Sequence, residues 1–220
     1  MSSEDNKDKY LKSVQQTREK YHDIIISQQD WTFAKEKDNI RIYTRRFNDG
    51  GPDMVKGVCM FENISPLEFS KHIASKDLSK RQSWDSIVSK NDYVETYSDT
   101  FEVIVNEYKL PAISRRDFVH AKELFHNEDS TVLDAVSTSV DEIANVPLND
   151  GVVRGRFLVS WWHIEKVGEN SRLTFSHRTE LSGWIPNWIV SLSITDSPLM
   201  LSKLADVIGT RLVPFSEQDE

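Results

Sequence analysis

The sequence predicts an α+β fold: one curved antiparallel sheet wrapped around a long C-terminal helix, with another helix at the N-terminus. Three observations carry this. From Ile87 to Leu181 the chain is a run of strand-like stretches whose joins, HNEDS, PLNDG and VGENS, are short and polar. Consecutive strands with short joins pair antiparallel. After SGWIP the period turns helical, with Ile185, Trp188, Ile189 and Leu192, then Leu199, Leu201, Leu204, Ala205 and Ile208. Near the start, Tyr10, Leu11, Val14, Tyr21, Ile24 and Ile25 recur at helical spacing.

The elements follow in order. Residues 1 to 9 are polar and are expected to fray. The first helix runs on from Tyr10. The period changes at Trp31, and NIRIYTRRF reads as a strand through Ile40, Ile42 and Tyr43. NDGGP is a strong turn, so MVKGVCMFE is its hairpin partner. In SPLEFSKHIAS, Ser65 suits an N-cap, Pro66 the first helical position, and Glu68 completes a capping box. A second short helix in DLSKRQSWD ends near Trp84. The strands are then YVETYS, TFEVIVNEYKL, DFVHAKELF, TVLDAVSTSV, VVRGRFLVSWWHIEKV and SRLTFSHRTEL. Asp196-Ser197-Pro198 either caps a fresh turn or kinks the last helix. A sheet curled around a helix leaves a lumen that can take a small ligand.

Composition narrows the function. A net charge of −8 over 220 residues argues against nucleic acid, which calls for a concentrated basic face. Six tryptophans and ten phenylalanines demand burial or a partner. A single cysteine, Cys59, fits a reducing compartment, and it sits among apolar neighbours as a packed thiol. No apolar run reaches the roughly 18 residues a membrane-spanning helix needs. The expectation is a soluble, cytoplasmic chain. There is no GxSxG, HExxH, P-loop or GxGxxG, and the six histidines lack metal-ligand spacing. Neither catalytic residues nor a metal or cofactor is expected.

Strand parity proposes inward residues. Phe101, Val103 and Val105 share a face, and Asp99 has their parity. Leu173, Phe175, His177 and Leu181 share another, while Arg172, Thr174, Ser176, Arg178 and Glu180 make the solvent side. The apolar faces are expected to meet the long helix. Asp99 and His177 are then inward polar groups; a turn aspartate and a hydrogen-bonded core histidine are the plain alternatives. The stretch ISRRDFVH adds a puzzle, because Arg115, Arg116 and Asp117 open an otherwise strand-like run.

RQSWD, DTFEVIVNEYKLPAISRRDFVH, GVVRGRF and SRLTFSHRTELSGWIPNWIV together resemble the START family of lipid-transfer domains, from about Trp31 to Leu212. The resemblance implies a helix-grip fold: nine antiparallel strands gripping a C-terminal helix, with one lipid in the tunnel between them. It places the domain at residues 10 to 213, between tails 1–9 and 214–220. Sterol carriers of the family pair a cavity acid with the arginine of RDFV, which implies an Asp99–Arg116 pair, with Arg115 and Asp117 facing away. In the phosphatidylcholine carrier that arginine contacts phosphate. An aromatic and an amide there fall on Leu158 and Ser160 here, with Trp162 of the same parity as an aromatic wall. His120, His177, Trp184, Trp188, Ile189 and Leu192 complete the lipid-binding set. The family's moving parts imply a gate of Lys109 to Ser114 and the C-terminal helix, with Trp184, Pro186 and Trp188 dipping into the membrane. The expectation is a monomeric carrier of one membrane lipid, a glycerophospholipid ahead of a sterol. The competing classes are a lipid-gated interaction module and a cyclase or hydrolase on the same scaffold.

Overall fold

A computed structural model describes residues 3–110, 112–185 and 195–215. Helix α1 spans Ser3–Ile26 and is followed by β1 (Thr32–Lys37), β2 (Ile40–Arg45) and β3 (Met54–Phe61). Two short helices, α2 (Pro66–Ile73) and α3 (Leu78–Trp84), precede β4 (Val88–Thr96), β5 (Phe101–Tyr108), β6 (Arg115–His126) and β7 (Val132–Ser139). One helical turn, α4 (Asp141–Ala144), leads to β8 (Val152–Arg154), β9 (Arg156–Val167) and β10 (Asn170–Glu180). A 3-10 turn at Ser197–Leu199 opens into α5 (Met200–Ile208), and β11 (Leu212–Val213) closes the chain.

The main path of the sheet is β1-β2-β3-β10-β9-β7-β6-β5-β4, nine strands, all antiparallel. β11 adds to β3, and β8 pairs β6 in parallel. This is the expected curved sheet gripping a C-terminal helix. The N-cap signals are seen in place. Ser65 Oγ accepts from the Glu68 N–H at 3.2 Å, and Pro66 sits at the start of α2. Asp77 caps α3 through the N–H groups of Ser79 and Lys80.

Both faces of the sheet are covered. One carries Ile42, Val55, Phe61, Trp162, Leu173 and Phe175 and packs on Leu201 and Leu204 of α5. Gly57 of β3 lets the C-terminal segment come close: a Cβ there would lie 2.3 Å from Cβ of Pro198. The other face carries Val103, Val119, Val136, Val159 and Trp161 and packs on Tyr10, Val14, Tyr21 and Ile25 of α1.

Three expectations are corrected. Helix α1 begins at Ser3, not Tyr10, so residues 3 to 9 belong to it. Asp5 and Asp8 near its start suit the positive end of the helix dipole. Phe101, Val103 and Val105 face α1, not the C-terminal helix. The supposed solvent side of β10 is covered too, with Thr174, Ser176 and Arg178 buried beneath α1. Arg178 lies 2.9 Å and 2.6 Å from the Asp49 oxygens and donates to Pro52 O at 2.8 Å. The expected helical positions Trp188, Ile189 and Leu192 lie outside the described residues, as does Pro186.

Candidate functional site

A cavity of about 470 Å³ lies between the inner face of the sheet and the C-terminal helix. Its floor is Phe118, Phe157, Ser160, Trp162, Phe175 and His177. Trp84 of α3 closes one side; Ser197, Leu199, Met200 and Lys203 form the roof; Ile87, Leu110 and Leu181 form the rim. The floor is an aromatic mosaic. Phe118 and Phe157 stack at 4.3 Å, and Trp162 packs on Phe175 at 4.6 Å and on Trp84 at 5.9 Å. Gly155 makes the first stack possible, since a Cβ there would fall 2.4 Å from the Phe118 ring.

Behind the shared wall of Arg81, Tyr108, Phe157, Ser160 and Trp162 lies a second chamber of about 70 Å³. Asn91, Asn106, His120 and Lys122 line it. Its charges are matched: Lys122 Nζ is 2.7 Å from Glu102, and Arg81 Nη2 is 2.8 Å from Asp85. His120 Nε2 is 2.8 Å from Asn106 Oδ1. Burial drives the His120 pKa down to about 3, with Lys122 and Arg81 adding to the fall. The site therefore runs from an apolar vestibule to a polar, charge-balanced end.

The expected site residues divide. Ser160, Trp162 and His177 line the cavity, and His120 lines the inner chamber. His177 Nε2 is 2.6 Å from Ser197 Oγ and its Nδ1 is 3.0 Å from Thr179 Oγ1. Burial lowers its pKa to about 4. Trp184 is 85% exposed, three residues beyond the rim residue Leu181.

Leu158 is corrected. It lines a groove on the α1 side of the sheet. Arg178 pairs Val159 while Thr179 pairs Phe157, so β9 carries an extra residue at Leu158. Such a bulge resets the parity of the strand, which is why Phe157 and Ser160 both face the cavity.

Asp99 is corrected too. It is exposed in the turn between β4 and β5, and strand parity would put it on the α1 face in any case. Arg116 sits opposite Tyr108 on the same face of the sheet as the cavity, but it lines neither chamber and is 2% exposed. Its guanidinium donates to three backbone oxygens: Ser114 O, Leu181 O at 3.4 Å and Ser182 O at 3.5 Å. Among the described residues no carboxylate pairs with it. Burial lowers its pKa. The neighbours in ISRRDFVH have other partners. Arg115 Nη1 is 3.0 Å from the buried Glu107, and Asp117, on the α1 face, is buried and bound by two Arg154 nitrogens at 2.8 and 3.0 Å.

Sequence reasoning missed Asn106, Tyr108, Phe118 and Phe157. For Asn106 and Tyr108 the signal was the second parity of β5, passed over because Phe101, Val103 and Val105 were expected to meet the long helix. Cys59 is buried in the core, which pushes its thiol pKa up and leaves it inert. Among the described residues no group of three His, Cys, Asp or Glu is placed to hold a metal. No helix among them is long and apolar enough to cross a membrane.

The START domain family model matches residues 12–201. The chain belongs to the START domain family. The solved structures agree on the fold. The human StAR-related lipid transfer protein 5 superposes with a TM-score of 0.77 at 20% identity, over 91% of this chain and 95% of that one. Human STARD10 gives 0.75 at 14% identity, over 88% and 78%. A STAR-related lipid transfer protein fragment from Xanthomonas axonopodis gives 0.70 at 19%, over 82% and 99%. No curated protein matches the chain in sequence. The helix-grip architecture and the arginine of RDFV are thus both present, and Asp99 does not pair with that arginine.

Proposed function

We propose that this START domain binds one membrane lipid in the cavity and transfers it between membranes. The observation that carries the reading is the cavity itself: about 470 Å³, floored by aromatic rings and ending in a few convergent polar groups. Each buried methylene contributes roughly 0.8 kcal/mol, so a long-chain lipid leaves a bilayer slowly unless an apolar site replaces the bilayer. A tunnel of this kind does so and keeps the exchange near neutral.

Two observations bear on lipid class. Among the described residues the buried cation Arg116 has only neutral carbonyl partners, which favours a glycerophospholipid phosphate at the rim. The charge-balanced inner chamber favours an uncharged polar end, as in a sterol. The rim, with Ile87, Leu110, Leu181 and the exposed Trp184, is the face that meets the membrane. At a net charge of −8 that contact is apolar rather than a general attraction to anionic lipid. The role is non-catalytic, and the working unit is a monomer in the cytoplasm.

The test is extraction and mass spectrometry of purified protein after exposure to mixed liposomes, followed by transfer between two vesicle populations. Stoichiometric lipid and protein-dependent transfer are expected. Protein that stays lipid-free sinks the reading. Lipid held without transfer shifts it to a lipid-gated interaction module, and a chemically altered lipid shifts it to an enzyme.

A further inference from the structure

Among the described residues, His120 in the lining of the inner chamber holds a hydrogen-bond acceptor with nothing to accept. Asn106 Nδ2 donates to Asn91 Oδ1 at 2.7 Å, which turns Asn106 Oδ1 toward His120. An amide oxygen only accepts, so the His120 Nε2 that meets it at 2.8 Å must carry the imidazole proton. The ring is neutral at physiological pH, as its lowered pKa requires. A neutral imidazole has one N–H, so Nδ1 is a bare acceptor. That atom is buried and has no partner among the described residues, in a residue only 4% exposed. Buried polar atoms are nearly always hydrogen-bonded, and an unmet one is costly.

The neighbourhood says what kind of group fits. Lys122 and Arg81 already have carboxylate partners, Glu102 and Asp85. The chamber holds about 70 Å³, room for a hydroxyl and the carbons that bear it. It lies beyond the aromatic floor, and His120 is four residues from Arg116 on the same strand, about 13 Å away.

We infer that the lipid enters with a hydroxyl foremost and that this hydroxyl donates its hydrogen bond to Nδ1 of His120. The inference rests on the lipid-binding reading of the cavity and narrows it. The ligand's leading end is uncharged and carries O–H, either the hydroxyl of a sterol or a hydroxyl on a phospholipid head such as glycerol. A ketone only accepts, and a choline group has no proton to donate, so either leaves Nδ1 unmet.

The experiment uses the full chain and liposomes doped with matched pairs. One pair is cholesterol and cholest-4-en-3-one. The other is phosphatidylglycerol and phosphatidylcholine with the same acyl chains. In at least one pair the hydroxyl member should be taken up about tenfold better, the effect of one hydrogen bond to a buried group. The pair that discriminates identifies the source of the hydroxyl. His120→Phe should bring that ratio close to one, and His120→Gln, which keeps an acceptor, should preserve part of it. Equal uptake within both pairs by the wild-type protein would overturn the inference, with Nδ1 then meeting water alone. A folded His120→Phe protein with the full wild-type preference would overturn it as well. No uptake of any of the four overturns the lipid reading itself. The wild-type comparison needs no variant, so it stands even if His120→Phe does not fold.

Discussion

His177 Nε2 lies 2.6 Å from Ser197 Oγ, so the wall of the cavity and the turn that begins the C-terminal helix share one hydrogen bond. Together with Thr179 on its Nδ1, this explains why an imidazole stands among aromatic rings. It serves as a neutral bridge between β10 and the roof.

A pH dependence follows. The folded pKa values of His120 and His177 are lowered from 6.5 to about 3 and about 4. Below about pH 6.5 the unfolded chain takes up protons that the folded chain refuses. Stability is therefore full above pH 6.5 and falls as the pH drops toward 4, by up to about 1.4 kcal/mol per unit for each ring. His177 borders the open cavity, so its share is the smaller. Denaturant titrations from pH 7.5 to 4.5 should show this slope, and His120→Gln with His177→Gln should flatten it. Parallel profiles for variant and wild type would rule these two residues out as its source.

Arg116 ties together two segments that flank the cavity, through Ser114 O on one side and Leu181 O and Ser182 O on the other. Arg116→Ala should cost about 2–3 kcal/mol, since hydrogen bonds from a charged donor are lost and three carbonyls are left short. Arg116→Lys should recover little, because an ammonium cannot reproduce the planar fork. Asp99→Ala should stay within about 0.5 kcal/mol, as expected of an exposed turn residue. The double variant with Arg116→Ala should then be additive. A coupling of about 1 kcal/mol or more, measured by urea unfolding, would restore the acid–arginine pair that the geometry denies.

The sequence made the sheet, the N-terminal helix and the capping of α2 legible, because period, turn chemistry and Ser65 each act locally. The faces were harder. In β5 the apolar residues Phe101, Val103 and Val105 mark the face that packs on α1, while the cavity takes Asn106 and Tyr108. A ligand cavity needs polar groups, so the rule that the apolar face points to the interior selects the wrong side here. Leu158 failed for a different reason. Parity cannot be carried across a bulge, and nothing local in GRFLVSWW announces the extra residue. The Asp99 assignment came from strand parity carried into a turn and from the resemblance; the turn breaks the strand there, and the parity it was given belongs to the α1 face.

At Gly57 the C-terminal segment comes close against the sheet. Gly57→Ala would push a methyl group against Pro198, whose Cβ lies 2.3 Å from the new atom. Strand β3 is paired on both sides there, with Ile42 and with Phe175, so the strand cannot give way easily. The roof must move instead. The expected outcome is a loss of about 1–3 kcal/mol, typical of an overpacked core. Amide exchange across Met200–Ile208 should quicken, and lipid should leave the protein faster. A folded variant with unchanged exchange in that helix would show that the roof does not bear on Gly57.

Trp184 tests the docking face. At 85% exposure it packs on little, yet it follows the rim residue Leu181 by three positions. A large aromatic ring left in water beside a lipid cavity is well suited to the bilayer interface, where tryptophan is favoured. Trp184→Ala should leave thermal stability unchanged within about 0.5 kcal/mol. It should slow transfer between vesicles severalfold, and the slowing should persist at high salt because the contact is apolar. Equilibrium lipid content should not change, since the side chain lies outside the cavity. Transfer at the wild-type rate by the folded variant would move the docking face elsewhere. A matching loss of lipid content would instead make Trp184 part of the binding site, so the two readouts separate membrane contact from ligand contact.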